Sequence, residues 1–222
     1  MIKINELSKS YKIGSLVIDA VKNVSLTIER GSFASIIGHS GSGKTTLLNL
    51  MGGLTFPDTG DISIDNTAIR SLKDSELSVF RNKKIGFIFQ FASLIPTLTA
   101  RENIVLPVIF GASVTDEIYR QADELLDFVG LSDKAEAYPA ALSGGQQRRV
   151  AIARAFINKP SIIFADEPTG DLDVDTEAEI MSFFKKMNKQ EHVTFVMVTH
   201  SPDLAEQTEK KFKMDRGILK EI

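Results

Sequence analysis

The chain has 222 residues, 43% of them hydrophobic, with a formal net charge of -3 and a pI of about 5.7. This suits one large domain, or a domain with an inserted subdomain, and the acidic balance argues against a protein that coats DNA or RNA, which needs a basic face. There are no cysteines, which excludes a disulfide, a zinc-thiolate site and a Cys nucleophile.

Met1, Ile2, Lys3, Ile4 and Asn5 lead straight into strand-like alternation rather than an apolar targeting segment. No apolar run approaches the ~20 residues of a membrane helix. The expectation is a soluble, cytoplasmic protein that reaches a membrane only through a partner. Residues 1–28 read as antiparallel strands, with Ile2, Ile4 and Leu7, then Val17, Ile18, Val21 and Val24, then Leu26 and Ile28. Tyr11 is expected in the turn region between the first two strands, where it either stacks on an adenine face or packs half-buried.

Residues 33–48 begin as a short apolar run, Phe33-Ala34-Ser35-Ile36-Ile37, which reads as a buried strand. The next eight residues, Gly38-His39-Ser40-Gly41-Ser42-Gly43-Lys44-Thr45, fit the P-loop pattern, and helix formers follow from Thr46. The chemistry explains the residue types. Gly38, Gly41 and Gly43 let the backbone turn and let main-chain N–H groups approach an anion. Those groups and the first helical turn cradle phosphate, so His39, Ser40, Ser42 and Thr46 join the binding set. Lys44 supplies a charge for the β- and γ-phosphates, and the Thr45 hydroxyl is placed for Mg²⁺.

Gly52-Gly53 ends that helix, and 57–60 is a turn. Residues 61–65 alternate like an exposed-edge strand, 74–82 read as a short helix, and 85–89 as a strand ending at Gln90. From 91 to 160 the apolar spacing turns helical, as in Ile118, Ala122, Leu125, Leu126 and Val129. In this block Leu94, Ile95 and Pro96 are adjacent apolar residues on a loop, either tucked into the core or lining a partner groove. Leu142-Ser143-Gly144-Gly145-Gln146 closes the block before a helix over 147–158. Ser143 and Gln146 make an S-x-x-Q capping box. A cap does not need the two glycines between them, which would open helix N–H groups to an anion.

Alternation then resumes. A buried strand over 161–165 ends in Asp166-Glu167, and a helix over 174–189 carries Ala178, Met181, Phe184 and Met187 on one face. A strand over 193–198 ends in Thr199-His200, a short helix spans 203–208, and a last hairpin turns at Arg216-Gly217. In open α/β sheets ligands lie outside the carboxyl ends of strands. Lys44, Gln90, Asp166 with Glu167, and His200 all follow strands. Asp166 fits a Walker B carboxylate that holds Mg²⁺, Glu167 is placed to polarise an attacking water, Gln90 to reach metal and water, and His200 to meet the γ-phosphate or hold Glu167. Singly, each reads first as a helix cap, a solvated amide or a structural histidine; jointly, beside a P-loop, they point to one nucleotide site.

With these motifs in place, the whole chain resembles the nucleotide-binding subunit of ABC transporters. Residues 142–146 resemble the LSGGQ signature, 162–168 Walker B with its catalytic Glu, and 170–173, with Asp171, the D-loop. Gln90 matches the Q-loop, His200 the switch histidine and Tyr11 the adenine-stacking aromatic. Residues 85–90 and 94–103, with 49–54 and 165–170, resemble the lipoprotein-release, macrolide-export and cell-division subgroup. Two departures stand out: Asp171 where that subgroup commonly has Asn, and Ser201 where Asp is common.

The resemblance implies a single domain over 1–222: an ATP-binding core with an antiparallel β subdomain over 1–90 and 161–222, and an inserted α-helical subdomain over 91–160. It implies an α/β P-loop fold with a mixed, mostly parallel sheet and helices on both faces. It further implies ATP and Mg²⁺ as ligands, catalysis by Glu167 with His200 and Gln90, and metal binding by Thr45, Gln90 and Asp166. Two chains would sandwich ATP, with Ser143, Gly144, Gly145 and Gln146 of one meeting the nucleotide held by the other. Membrane permease subunits are the expected partners, reached at the cytoplasmic face. The competing reading is a soluble ABC ATPase acting on nucleic acid or ribosomes. One P-loop, one signature and an acidic charge disfavour it. A P-loop kinase or GTPase does not carry LSGGQ.

Overall fold

The computed structural model describes residues 1–111, 113–170 and 172–222. Two sheets organise them. β1 (Ile2–Ile13) and β2 (Leu16–Ile28) pair antiparallel, and β4 (Thr59–Ile64) joins the other side of β1, followed by the two-residue β5 (Thr67–Ala68). The first sheet thus has the order β2-β1-β4-β5. β4 is not an open edge, since both its neighbours pair with it, and Ile62 and Ile64 are buried. Tyr11 lies within β1, opposite Ile18, and not in the turn, which falls at Gly14 with φ +61°. Glycine suits that left-handed turn position.

The second sheet has the order β10-β9-β3-β8-β7-β6. Its strands are β3 (Phe33–Ile37), β6 (Ile85–Ile88), β7 (Ile162–Asp166), β8 (Thr194–Thr199), β9 (Lys210–Asp215) and β10 (Ile218–Glu221). All neighbours pair parallel except β9 with β10. Parallel strands covered on both faces must be apolar throughout, and β7 and β8 are buried at every residue.

Period-two alternation sends side chains of each strand to opposite faces. Phe33, Ile163, Ala165, Phe195 and Met197 enter one core, shared with α3 (Ala100–Ile109), α4 (Asp116–Phe128), α5 (Gly144–Phe156) and α6 (Val174–Glu191). Ala34, Ile36, Ile162, Phe164, Val196 and Val198 enter the other, shared with α1 (Lys44–Met51), α2 (Asp74–Lys84) and the antiparallel sheet. A run of phenylalanines stitches the first core: ring centroids lie 5.2 Å apart for Phe184 and Phe195 and 4.7 Å for Phe156 and Phe183. The mixed, mostly parallel sheet with helices on both faces, the antiparallel β unit and the helical block are therefore all present.

Two helices differ from expectation. α5 starts at Gly144 rather than 147, because Ser143 accepts from Gln146 N and the Gln146 side chain accepts from Ser143 N, so the cap sits directly before the glycines. On α6, Ala178 is exposed and Met187 half-buried, while Ile180 and Phe183 are buried beside Met181 and Phe184. Bulk decides which residues meet the phenylalanine-lined core, and a small Ala sits at the edge of the stripe.

The loop after Gln90 is held by Asn103, which is fully buried on α3. Its amide donates to the carbonyls of Ile95, Leu98 and Thr99 and accepts from Ile95 N at 2.7 Å. Substituting Asn103→Ala leaves these buried groups without partners, so we expect a loss of about 2–4 kcal/mol, read as a lowered urea midpoint with unchanged slope.

Candidate nucleotide-binding site

The parallel register brings four strand ends to one edge. β3 lies beside β8, β8 beside β7 and β7 beside β6, with Ile37 opposite Thr199, Asp166 opposite Val198 and Ile88 opposite Ala165. The residues that follow are the Gly38 loop, His200, Glu167 and Gln90. They converge on an open cleft of about 770 Å³.

The loop between β3 and α1 is shaped by its packing. A β-carbon on Gly38 would lie 2.2 Å from Met214 O, and one on Gly43, at φ +106°, 2.0 Å from Ala20 O. Both glycines are required where the loop presses against the backbones of β9 and β2. Gly41, at φ +77°, has open space, so there the backbone conformation is the reason. Gly217 N donates to Ser42 O at 2.9 Å, and Lys44 Nζ donates to Gly38 O at 2.7 Å and His39 O at 3.1 Å. Lys44 is thus folded back over its own loop, with its charge at the cleft. His39, Ser40, Gly41, Ser42, Gly43, Lys44, Thr45 and Thr46 all line the cleft. Gly38 stands behind them, holding the loop to β9.

Asp166 is buried and hydrogen-bonded by the side chain of Thr45. Burial pushes its carboxyl above the usual carboxylate range; the Thr45 bond opposes this, the Glu167 charge adds to it, and Lys44 and Arg148 oppose it. A desolvated carboxylate beside a second carboxylate favours a cation. Thr45, Asp166 and Gln90 all face the cleft and offer oxygen donors, the set that suits Mg²⁺.

Glu167 takes φ +46°, a left-handed conformation that a non-glycine residue keeps only when its surroundings impose it. Glu167 N donates to Val198 O at 2.9 Å. Its Oε2 accepts from Thr199 Oγ1 at 3.1 Å, and its Oε1 lies 2.9 Å from His200 Nδ1. Of the two roles open to His200, the geometry shows the one that holds Glu167, while its ring is otherwise exposed. Gln90 and Tyr11 line the cleft too, and Tyr11 carries Lys9 Nζ 5.6 Å from its ring.

Ser143, Gly144, Gly145 and Gln146 do not line this cleft. Ser143 and Gly144 are exposed at the start of α5, and a β-carbon on Gly144 would meet nothing within 4 Å. Asp171 lies outside the described residues. Sequence reasoning passed over Arg148, which is buried, lines the cleft and donates to the carbonyls of Phe89 and Glu167. It also passed over Ile18 and Ala20 of β2, which reach the cleft only through the long-range approach of that strand. A charged residue one turn into a helix reads as solvated until the strand ends beneath it are known.

A second groove, of about 540 Å³, opens beside Gln90. Phe87, Phe89, Ser93, Leu106, Pro107 and Phe110 are among its lining residues. Leu94 instead packs on the core, and Ile95 and Pro96 are exposed without lining the groove. The loop is turned this way by Asn103, which holds both main-chain groups of Ile95.

The chain is similar to known proteins along its whole length. The profile of the ABC transporter family, described as "ABC transporter", matches residues 21–170. The lipoprotein-releasing system ATP-binding protein LolD of Bacteroides thetaiotaomicron is 44% identical, over 99% of both chains. The uncharacterized ABC transporter ATP-binding protein MJ0796 of Methanocaldococcus jannaschii is 49% identical, over 98% of this chain and 94% of the other. The macrolide export ATP-binding/permease protein MacB of Rhodopirellula baltica is 40% identical over all of this chain but only 33% of its own. Among solved structures, dimeric MJ0796 in a post-hydrolysis state, bound to ADP and Pi, superposes with a TM-score of 0.94 at 45% identity, covering 100% of this chain and 98% of that one. The chain belongs to the ABC transporter family and is an ATP-binding, ATP-hydrolysing subunit of that family, similar to the lipoprotein-release and macrolide-export members.

Proposed function

We propose that two copies of this chain close on two ATP molecules and that closure drives a membrane permease. The observation that carries this reading is the separation of the signature residues from the cleft. Ser143, Gly144, Gly145 and Gln146 form the exposed or half-exposed start of α5, outside the cleft that the remaining motifs share. A helix N-terminus with glycines and free amides suits an anion, and a second chain's γ-phosphate is the anion it would meet. The dimeric state of the relative MJ0796 with ADP and phosphate supports this.

Within the site, the loop amides from Gly38 to Thr46 and Lys44 would hold the phosphates, and Tyr11 the adenine. Thr45, Asp166 and Gln90 would hold Mg²⁺, which supplies charge neutralisation at the phosphate oxygens when bound. Glu167 would accept a proton from the attacking water, with Thr199 and His200 fixing the two oxygens of its carboxylate. We assign the nucleotide core and β unit to 1–90 and 161–222, and the helical subdomain to 91–160. The apolar groove beside Gln90 would seat a permease segment; its exposed Phe89 and Phe110 favour such a contact. No helix among the described residues is long and apolar enough to cross a membrane, so this groove would bring the chain to the cytoplasmic face. Pull-down of the tagged chain from detergent-solubilised membranes tests the partner: a permease should accompany it, and recovery with ribosomes or nucleic acid instead would favour the soluble alternative.

Glu167→Gln keeps size and hydrogen bonding but accepts no proton. Phosphate release should fall at least about 100-fold, while size-exclusion chromatography with ATP should show a dimer. Native turnover would refute the role of Glu167; an inactive chain that stays monomeric at high ATP would remove the two-chain sandwich.

Asp166→Asn tests the metal assignment through stability. Because folding raises the Asp166 pKa, its favourable contribution is full below the ordinary carboxylate pKa and is lost as pH rises through the folded value. At neutral pH and without nucleotide, the Asn variant should therefore melt about 2–4 °C higher. That gap should close as pH falls towards ~4. The variant should also lose the extra stabilisation that Mg²⁺ adds to ATP in the parent. Equal gains from Mg²⁺ in both chains would exclude Asp166 as a ligand.

A further inference from the structure

Arg148 lies one turn into α5, four residues after Gly144, and is only 4% exposed. Its Nη1 donates to Phe89 O at 3.3 Å and to Glu167 O at 3.1 Å. These carbonyls lie just past the ends of β6 and β7, which pair side by side. The Phe89 carbonyl belongs to the same peptide as the Gln90 amide, so its orientation sets how Gln90 leaves the strand. The Glu167 carbonyl also accepts from Gly170 N at 3.2 Å, which leads into the segment before α6. One nitrogen thus joins the helix that begins with the signature to the two strand ends that present Gln90 and Glu167.

Glu167 needs such restraint because its φ of +46° is left-handed. It is held from β8 and the turn that follows it, through Val198, Thr199 and His200, and by Gly170 in its own turn. From the helical block, Arg148 donates to its carbonyl. We propose that Arg148 is a positioning residue: it sets the Gln90 and Glu167 turns relative to α5, so that the signature helix and the catalytic carboxylate move as one unit. This inference rests on the reading of Glu167 as the group that activates water.

The length of the side chain is what the role uses. Lys keeps the charge facing the cleft, but its amine stops one bond short of Nη1 and cannot bridge the same two carbonyls without drawing α5 inward. Gln is shorter still and uncharged. A residue that served the cleft only as a cation would be replaceable by Lys; a residue that bridges would not.

The test is steady-state and single-turnover ATP hydrolysis by the full chain for Arg148→Lys, Arg148→Gln, Glu167→Gln and the Arg148→Lys/Glu167→Gln double variant. We expect Arg148→Lys to lower kcat about tenfold or more, with KM for ATP and measured nucleotide affinity within about twofold of the parent, which also reports that it folds. Arg148→Gln should lose kcat alike and also raise KM. Because Arg148 acts through Glu167, the double variant should turn over no more slowly than Glu167→Gln alone. Arg148→Lys with parental kcat overturns the inference, as does a loss confined to KM, or a double variant whose losses add. Glu167→Gln at native turnover removes the Glu167 reading and this inference with it, whereas an inactive Glu167→Gln beside a fully active Arg148→Lys removes this inference alone.

Discussion

The parallel register of β3, β8, β7 and β6 is the constraint on which the site depends. A parallel pair needs a crossover to return the chain to the same edge, so each of these four strands starts at one end of the sheet and delivers its next residue at the other. Ile37 beside Thr199, Val198 beside Asp166 and Ala165 beside Ile88 place four turns within one cleft, although they are separated by up to 162 residues in sequence. A one-residue slip at β7 would exchange its faces, putting Phe164 where Ala165 now packs. It would also carry Asp166 away from Thr45. The burial of these strands on both faces is what prevents such a slip, since each alternate residue belongs to a different core.

That burial has a consequence at the strand ends. Asp166 stays inside the protein with its carboxyl desolvated and Glu167 next to it, and Glu167 sits in a backbone conformation unfavourable for its side chain. Neither arrangement stabilises the fold by itself. Both are held by surrounding elements, through Thr45, Val198, Thr199, His200, Gly170 and Arg148. Local strain that persists under so many restraints marks a site where geometry is used for chemistry. The loop before α1 follows the same logic. Its glycines at 38 and 43 are fixed by the backbones of Met214 and Ala20, so its amides are set before any phosphate arrives and little ordering remains to oppose binding.

Much of this was legible in the chain, for reasons that are local. A strand that ends in a polar residue, a glycine loop that opens a helix, and a Ser with a Gln three residues on each carry their meaning within a few positions. What was not legible depends on distant backbone. The pattern of the loop explains its glycines by the turn and by phosphate, whereas Gly38 and Gly43 answer also to the backbones of Met214 and Ala20, which no local pattern reveals. Arg148 drew no reading from the sequence, since nothing near it in the chain says that the Phe89 and Glu167 carbonyls lie beside it. Tyr11 was expected in a turn, but the hairpin is longer than its apolar alternation suggested, and the strand continues to Ile13 through exposed residues. The groove beside Gln90 draws its lining from four stretches of chain, so no single loop announced it.

The same geometry bears on how nucleotide binding could be transmitted. The sheet edge and the signature helix are separate surfaces, and closing one against another chain moves the helical block only if something ties it to the core. The shared phenylalanine-lined core provides a broad tie that resists separation but says little about the direction of a small rotation. Hydrogen bonds at the edge are directional, and they sit where the phosphates would be. Arg154 extends the pattern one helical turn and a half beyond Arg148: its guanidinium donates to the carbonyls of Ala92 and Ser93. α5 therefore grips the chain on both sides of Gln90, at Phe89 and at Ala92 and Ser93. A shift of that loop towards the cleft would pull on both arginines, and through them on the helix whose first turn carries Gly144 and Gly145. Side chains of a single helix thus connect the chain around Gln90 and the Glu167 turn to the helix that begins with Gly144 and Gly145.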